Sequence, residues 1–411
     1  MTQRKRLKIC FLVDKSGPFY LGGYEKRVWM LSSSLSSKAD VRVYTTCEQS
    51  SSRDRVRFEK ICTPAFQPYS LYKRSMIHDA IYSISLHKNP FTDWVPDVLY
   101  VEAAPFGHLP FLLRWALPNN VLKLLNVNEA WVTYPYKRGI TGNAFNKTLR
   151  HLLRLGTKWA DVVICVATPT ATALRESFRK EAVEVVPSGV NLSQTQVYTV
   201  KSGSSKKYDF VTMGRCVPIK RQIDFVRAVG SLRRKSGWNA KCLVIGDGPE
   251  LPSLKQEAKA LGVDQNFAFP GYVDEDMLLE MLSTARVFVL PSEREGFSLA
   301  TLEAQALGLP AIVARPLQPE VFGVSDIVKH GINGLYFDQG NLEELCQRMV
   351  QIHDSPSLCQ RLGAASLVMA QKFDWNTISD DFISMCRAHL VEMPVERYRE
   401  PNGIVSSDGS S

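Results

Sequence analysis

Residues 287–303 have the sequence VFVLPSEREGFSLATLE. The first four are apolar and predict a buried strand, whereas Leu302, Ala306 and Leu307 recur at helical spacing beyond Gly296. A strand that passes through a glycine turn into a helix is the building unit of a parallel α/β sheet. The turn lies at the carboxyl end of its strand, which is where open α/β sheets bind ligands.

The same alternation of short apolar runs and helical patterns continues in both directions as two series. Strands of the first series are predicted at Lys8–Val13, Val41–Thr45, Val98–Val101, Leu122–Val127 and Val162–Val166, and the run Val183–Val186 precedes a turn that closes this half. Strands of the second series are predicted at Phe210–Met213, Lys241–Ile245, Phe267–Phe269, Val287–Leu290 and Ala311–Ala314. This pattern predicts the α/β class, with two Rossmann-like, doubly wound domains that face each other across a cleft.

The boundaries between these domains follow from composition. We expect the first domain at 1–195 and the second at 208–372, joined by a linker at 193–207 that is rich in Ser, Gly and Lys. Residues 373–395 predict a C-terminal helix. Residues 396–411 predict a disordered tail, because Gly, Ser and Asp dominate its end.

Composition narrows the class of protein. The 411 residues are 45% hydrophobic, enough for a large core, and the nine widely spaced cysteines include no C-x-x-C pair. A disulfide framework and a structural zinc site are therefore not expected. No stretch reaches the roughly 18 apolar residues that a membrane span needs, so we expect a cytoplasmic protein, either soluble or peripheral at the inner face of the membrane.

Charge differs between the two halves. Residues 1–200 carry 27 Lys or Arg and 15 Asp or Glu, net +12, whereas residues 201–411 carry 23 and 26, net −3. The basic half suits an anionic membrane surface or a phosphorylated acceptor, and a merely solvated surface is an equal alternative. The predicted helix Asn146–Lys158 is basic and amphipathic, which favours packing on its own sheet over docking to lipid. Dispersed basic residues without a recognition motif argue against nucleic acid.

Two cations follow a strand of the second series directly. Gly214 lets the backbone turn closely, and Arg215 and Lys220 would lie at the carboxyl edge of the sheet. Fixed cations there stabilise a transition state in which a departing diphosphate gains negative charge. An ordinary surface pair of cations explains this segment equally well.

The turn in 287–303 offers a second set of groups. Glu295 would reach the hydroxyls of a bound sugar, and Glu303, about two helical turns on, would accept hydrogen bonds from a ribose. Free N–H groups and the helix dipole at the start of the helix favour an anion or sugar oxygens. The residues that would offer these N–H groups are Gly296, Phe297, Ser298 and Leu299.

Two further turns border the same edge. Gly246 belongs to a G-D-G-P turn that lacks the third glycine of a dinucleotide fingerprint, so it borders a nucleotide pocket or is only structural. Tyr272 would stack on a base while the backbone at Val273 meets the edge of that base. Asp274 and the acidic residues after it fit a helix N-cap better than a metal site, so no metal is predicted.

In the first half, Gly22 and Gly23 open the first predicted helix. Only glycine lets a backbone approach a bulky anion so closely at a helix N-terminus, although a tight turn without function is the alternative.

Together, G-R-x4-K, G-D-G-P, P-G-Y-V and P-S-x2-E-G-F-S-L-x2-L-E-A-x-A-x-G-x-P resemble the retaining glycosyltransferases of family 4, which have the GT-B fold. The resemblance covers 208–340 closely and the remainder loosely, and the spacing of Glu295 and Glu303 is its most specific element. It implies that a hexose or related sugar moves from a nucleotide-sugar donor to a glycan, lipid-linked or other acceptor, with retention of anomeric configuration.

The resemblance also implies roles for residues. Arg215 and Lys220 would bind the donor diphosphate, Glu295 the sugar and Glu303 the ribose, with the Gly22–Gly23 pair on the opposite side of the cleft. No divalent metal and no cofactor is expected beyond the nucleotide-sugar co-substrate, for which UDP is more frequent than GDP. The resemblance further implies that the C-terminal helix crosses back onto the first domain.

The chain departs from this pattern near the reacting sugar. Relatives often carry a histidine where this chain has Asn128, which is followed by Glu129. Asn128, Glu129 and His108 are the candidates for the acceptor side, and His108 is equally explained as a surface residue. A sugar-nucleotide isomerase or epimerase and a non-catalytic nucleotide-sugar-binding scaffold are the alternative functions.

Overall fold

A computed structural model gives the fold of the chain. The residues it describes are 5–13, 23–45, 56–60, 91, 93–102, 120–129, 140–201 and 206–393. Gly22, His108 and the tail at 396–411 lie outside the described residues.

The first half is built on a seven-stranded parallel sheet with the strand order β3-β2-β1-β4-β5-β6-β7. Its strands are β1 (Lys8–Leu12), β2 (Asp40–Thr45), β3 (Arg57–Lys60), β4 (Val98–Glu102), β5 (Leu122–Val127), β6 (Val162–Cys165) and β7 (Val183–Val185). The central strands are buried along nearly their whole length, as expected of a parallel sheet covered on both faces.

The second half repeats this plan in a six-stranded parallel sheet with the order β10-β9-β8-β11-β12-β13. Its strands are β8 (Tyr208–Met213), β9 (Cys242–Ile245), β10 (Phe267–Gly271), β11 (Ala285–Leu290), β12 (Ala311–Arg315) and β13 (Gly334–Asp338). In both sheets the order reverses once, between β1 and β4 and between β8 and β11. Such a reversal opens a crevice at the carboxyl ends of the two strands, where doubly wound folds bind ligands.

Helices cover both sheets. In the first half they are α1 (Gly23–Ser36), α2 (Ile140–Trp159), α3 (Thr168–Phe178) and α4 (Leu192–Lys201). In the second half they are α5 (Gln222–Ser236), α6 (Leu251–Ala260), α7 (Glu275–Ser283), α8 (Leu299–Ala306), α9 (Leu342–His353), α10 (Pro356–Ala370) and α11 (Trp375–Glu392). The predicted α/β class with two doubly wound halves is confirmed.

The last helix packs on the first half of the chain. Asp374 caps α11 by accepting a hydrogen bond from the Asn376 N–H at 2.8 Å. The buried side chains of Trp375 and Phe382 then share one apolar cluster with Phe11 and its neighbours on the first sheet. The core of the first half therefore includes residues from the far end of the chain.

Part of the predicted linker at 193–207 is helical. Residues Leu192–Lys201 form the helix α4 instead of an irregular connection. Leu192 and Tyr198 pack against the core of the second half, and the Tyr198 hydroxyl donates a hydrogen bond to Asp276 at 2.9 Å. Tertiary packing therefore stabilises a helix that its polar composition did not predict.

The basic helix is longer than the predicted Asn146–Lys158 and begins at Ile140. Leu149 and Leu153 are buried, whereas the cations on the helix are exposed. These cations are Lys147, Arg150, Arg154 and Lys158. The apolar face of α2 is thus used inside the protein, and none of the helices in the described ranges is long and apolar enough to cross a bilayer.

We expect Phe382→Ala to destabilise the first half. Phe382 is only 1% exposed in the shared cluster, and truncation of a buried phenylalanine costs about 3–5 kcal/mol in the free energy of unfolding. Urea denaturation followed by circular dichroism measures the effect. The matched control is Val391→Ala in the same helix, where the side chain is 85% exposed and a change within about 0.5 kcal/mol is expected. Equal effects of the two substitutions would contradict this packing.

Candidate active site

The carboxyl edge of the second sheet brings two glycine turns into contact. Gly214 follows β8 and Gly246 follows β9, with φ values of 142° and 130° that favour glycine. A Cβ atom on Gly246 would lie 2.0 Å from the Gly214 carbonyl oxygen. The Gly246 N–H donates to the Gly271 carbonyl at 2.8 Å, so the turn after β10 joins the same edge. Close backbone packing fixes the position of the residues that follow.

The two predicted cations lie in the loop after Gly214. Arg215 is exposed, and its guanidinium makes no hydrogen bond or ion pair with the described residues. Lys220 ends a short 3-10 helix, and its Nζ donates to Glu295 Oε1 at 2.6 Å. The Glu293 N–H also donates to the Ile219 carbonyl at 2.8 Å, so backbone as well as side chains join this loop to the turn after β11.

The turn at 291–299 ends in strained backbone. Ser298 has a φ of 78°, which is uncommon for a residue other than glycine and is often found at functional sites. Its Oγ caps α8 by accepting from the Thr301 N–H at 3.3 Å. The Phe297 side chain is buried against Phe373, so this residue offers only its backbone to a ligand.

The N–H groups of residues 296–299 point to anion binding. Within the described part of the chain they donate no hydrogen bond, and they lie at the N-terminus of α8. Unpaired N–H groups at a helix N-terminus, together with the helix dipole, form a site for a phosphate or carboxylate. The prediction that Gly296, Phe297, Ser298 and Leu299 offer backbone donors therefore has a structural basis.

The turn after β10 places Tyr272 and Val273 at the rim of this edge. Tyr272 is exposed, and Val273 packs in part against the core. Asp274 accepts a hydrogen bond from the Met277 N–H at 2.9 Å as the N-cap of α7. The N-cap prediction is confirmed, and Tyr272 is free to present its ring to a planar ligand.

Glu303 is reached by a residue that the sequence did not single out. Its carboxylate Oε1 accepts a hydrogen bond from Lys26 Nζ, in the first half of the chain, at 2.5 Å. Lys26 also lies 3.1 Å from Glu275 Oε1. Three residues earlier, Gly23 begins α1, and a Cβ on Gly23 would lie 3.8 Å from Leu299 Cδ1. The first turn of α1 therefore faces the first turn of α8 across the cleft.

Asn128 and Glu129 approach the same turn from the first half. A Cβ on Gly296 would lie 2.2 Å from the Asn128 carbonyl oxygen, so only glycine fits here. Arg294 Nε lies 3.6 Å from Glu129 Oε2. Asn128 was predicted to occupy the position where relatives carry a histidine. The contacts show that it lies directly against the Glu295–Gly296 turn.

The Asn128 side chain is held by a buried polar network. Its Nδ2 donates to Glu102 Oε2 at 2.9 Å, and its Oδ1 accepts from Asn126 at 3.0 Å. Glu102 also accepts from the Tyr100 hydroxyl at 2.6 Å, and Tyr100 accepts from Arg27 at 2.6 Å. Burial and the Glu102 carboxylate raise the pKa of Tyr100 well above its ordinary value, although Arg27 opposes them, so the phenol stays protonated and can donate.

Most of the predicted site residues therefore converge on one cleft. Gly214, Lys220, Gly246 and the Glu295 turn are joined by direct contacts, and Gly23, Asn128 and Glu129 meet that turn from the other side. Arg215, Tyr272 and Val273 lie on the same edge. Sequence reasoning missed Lys26, Glu102 and Asn126, although the position of Lys26 three residues after Gly23 was a signal for the first.

Two protein-family models match successive parts of this chain. A model described as Glycosyltransferase Family 4 matches residues 21–194, and one described as Glycosyl transferases group 1 matches residues 196–367. This chain belongs to glycosyltransferase family 4. The GDP-mannose-dependent alpha-(1-6)-phosphatidylinositol monomannoside mannosyltransferase of Mycobacterium tuberculosis is 27% identical over 303 residues, covering 69% of this chain and 74% of that protein.

Solved structures agree on the fold of this glycosyltransferase. Sucrose-phosphate synthase from Thermosynechococcus elongatus has a TM-score of 0.78 at 18% identity, covering 94% of this chain and all of that one. Anabaena HepE, solved in complex with UDP-glucose, has a TM-score of 0.69 at 17% identity, covering 93% of this chain and all of that one. The expected GT-B fold is confirmed.

We expect Gly296→Ala to push the Asn128 backbone away from the Gly296 turn and so to slow the glycosyl transfer. The new Cβ would lie 2.2 Å from the Asn128 carbonyl oxygen and 3.2 Å from Glu129 Cγ, so the backbone must move. A displacement of about 1 Å at a reacting centre lowers turnover roughly 100-fold. Initial rates with a panel of UDP- and GDP-sugars measure the loss.

The control for this substitution is Gly237→Asn at the end of α5. That glycine has a φ of 73° with open space around its Cβ position, and asparagine tolerates this backbone conformation. Wild-type rates in Gly296→Ala would show that the close approach of the two halves is not needed for transfer.

Proposed function

We propose that this glycosyltransferase moves a hexose or related sugar from a nucleotide-sugar donor to an acceptor hydroxyl with retention of anomeric configuration. The observation that carries the proposal is the anion site at the carboxyl edge of the second sheet. There the unpaired N–H groups of 296–299 lie in the turn that Lys220 joins through Glu295, and the exposed Arg215 follows β8 on the same edge. A nucleoside diphosphate supplies the matching negative charge.

The sugar, ribose and base of the nucleotide-sugar donor would each contact a residue close to this anion site. Glu295, beside Lys220, would accept hydrogen bonds from sugar hydroxyls, and Glu303 would accept them from the ribose. Tyr272 would stack on the base, and Gly214 and Gly246 leave room for the phosphates because they carry no side chain. We propose that the nucleotide of the donor is UDP, because Anabaena HepE was solved in complex with UDP-glucose. GDP is the competitor because the mycobacterial relative is GDP-mannose-dependent.

In the proposed reaction, the bond between the anomeric carbon and the diphosphate oxygen breaks, and the acceptor oxygen forms its bond to the same face of that carbon. The acceptor proton passes to the departing diphosphate, so no enzyme nucleophile is required. Arg215, Lys220 and the N–H groups stabilise the charge that develops on the diphosphate. Because these cations already do so, we propose that no divalent metal is needed.

We place the acceptor on the first half of the chain. Asn128 and Glu129 lie against the reacting turn, and the exposed cations of α2 give this half a basic surface. A glycan or lipid-linked acceptor that carries phosphate would be attracted by such a surface. The same cations would support peripheral contact with an anionic membrane, electrostatically and without apolar insertion, because Leu149 and Leu153 of α2 are buried.

We expect Arg215→Ala to weaken nucleotide binding about 10- to 100-fold, because a hydrogen bond between charged groups is lost. Isothermal titration calorimetry with UDP, GDP and ADP measures the change and identifies the base. The matched control is Arg234→Ala, an exposed arginine on α5 away from this edge, which should bind like the wild type. If none of the three diphosphates binds to the wild type, the scaffold alternative is favoured over transfer.

We expect Glu295→Gln to lower the turnover about 100-fold or more, since this substitution removes the charge that holds Lys220 and orients the sugar. Proton NMR of the reaction measures the rate and the anomeric configuration of the product together. Circular dichroism should show an unchanged fold, because Lys220 keeps access to water. Near wild-type turnover would remove Glu295 from the reaction, and a product of inverted configuration would contradict retention.

A further inference from the structure

Lys26 connects the two halves of the protein at one atom. It lies in the first turn of α1, and its Nζ is 2.5 Å from Glu303 Oε1 on α8 and 3.1 Å from Glu275 Oε1 on α7. The partners on α7 and α8 lie in the second half, roughly 250 or more residues further along the chain. The contact therefore exists only when the two halves are close together.

The pair is electrostatically strong because Glu303 is only 7% exposed. A buried carboxylate is costly unless an opposite charge and hydrogen bonds compensate it. Burial lowers the pKa of Lys26, but Glu303 and Glu275 outweigh that effect and raise the pKa above its ordinary value. The ammonium group therefore stays charged, and it holds the Glu303 carboxylate in one orientation.

Glu303 keeps acceptor capacity in this arrangement. Its Oε2 makes no hydrogen bond with the described residues, and each carboxylate oxygen has two lone pairs. Lys26 uses one lone pair of Oε1. Two neighbouring hydroxyls of a ribose can therefore bind Glu303 while Lys26 remains in place.

Lys26, Glu275 and Glu303 line a cavity between the two halves together with Leu299 and Asn191. Leu299 begins α8, whose free N–H groups form the proposed diphosphate site. A nucleotide whose diphosphate lies at that N-terminus would extend its ribose along α8 toward Glu303.

We propose that Lys26 is a positioning residue for ribose recognition: it holds the Glu303 carboxylate across the cleft in the orientation that receives the ribose hydroxyls. This inference rests on the proposed function, in which Glu303 binds the ribose. It makes the affinity for the ribose depend on a residue from the opposite half, so that the donor is bound fully only in the closed arrangement of the two halves.

The test compares a ribonucleoside diphosphate with its 2′,3′-dideoxy form by calorimetry, using UDP or, if guanosine is preferred, GDP. In the wild type the dideoxy form should bind about 10- to 100-fold more weakly, because it lacks hydrogen bonds to a charged group. In Lys26→Met this ratio should fall to about threefold or less through weaker binding of the ribo form alone, since Glu303 loses its fixed orientation. Lys26→Arg should retain most of the ratio, because it keeps the charge and the donor.

Two controls separate this role from a structural one. Lys38→Met removes another lysine, which lies two residues after α1 and contacts Ser379 and Asp380 of the last helix. This substitution should leave the ratio unchanged. If Lys26→Met does not fold, Glu303→Gln and the double variant Lys26→Met/Glu303→Gln, which buries no unpaired charge, replace it. Both should show the same low ratio, because Lys26 acts only through Glu303.

The outcomes distinguish the inference from the proposed function. A wild-type ratio in Lys26→Met, tighter binding of the ribo form, or a further loss of ratio in the double variant would each overturn the role of Lys26 and leave the donor site intact. A wild-type protein that binds neither diphosphate, or binds both forms equally, would contradict the proposed donor site and the inference with it.

Discussion

The arrangement of the two halves depends on a close backbone contact between Asn128 in the first half and Gly296 in the second. The Asn128 carbonyl lies 2.2 Å from the Cβ position of Gly296, and a Cβ on Gly323 would lie 1.7 Å from the Gly296 carbonyl oxygen. Side chains are excluded from this point, so hard van der Waals contact sets the distance between the two halves. As a consequence, α1 and α8 begin opposite each other, with Gly23 against Leu299. A diphosphate between them would be close to two helix N-termini, both of which favour negative charge.

The two carboxylates of the proposed donor site are each held by a lysine, but in different ways. Glu295 is paired with Lys220 of the same half, so the sugar end of the site is complete within the second sheet. Glu303 is paired with Lys26 of the opposite half, so the proposed ribose end is complete only when the cleft is closed. Because a nearly buried carboxylate requires a partner, opening of the cleft exposes Glu303 to water or leaves it uncompensated. The ion pair therefore forms only in the closed arrangement.

Local patterns were sufficient to predict much of this fold. Apolar runs located the strands at the centre of both sheets. The pattern of 287–303 located the turn that carries the proposed anion site, because a strand, a glycine turn and a helix are contiguous in the chain. The edge strand Arg57–Lys60 was not predicted, since its RFEK sequence lacks an apolar run, as is common at sheet edges. Most of the helix α4 fell in the predicted linker because its composition is polar, and its apolar contacts come from Leu192 and Tyr198, which do not form a helical stripe. Lys26 was missed because its partner is 277 residues away, beyond any local spacing.

Lys26 and its neighbour Arg27 show how one helix serves both halves. Successive residues on a helix point about 100° apart, so the two cations leave α1 in different directions. Arg27 is buried in the first half, where it donates to Tyr100 and to the Val186 carbonyl, and through Tyr100 and Glu102 it connects to Asn128. Lys26 points outward to Glu303. The first turn of α1 is therefore connected by hydrogen bonds to Asn128 on one side and by an ion pair to Glu303 on the other. The contact of Asn128 with the Gly296 turn and the contact of Lys26 with Glu303 therefore both depend on the position of α1.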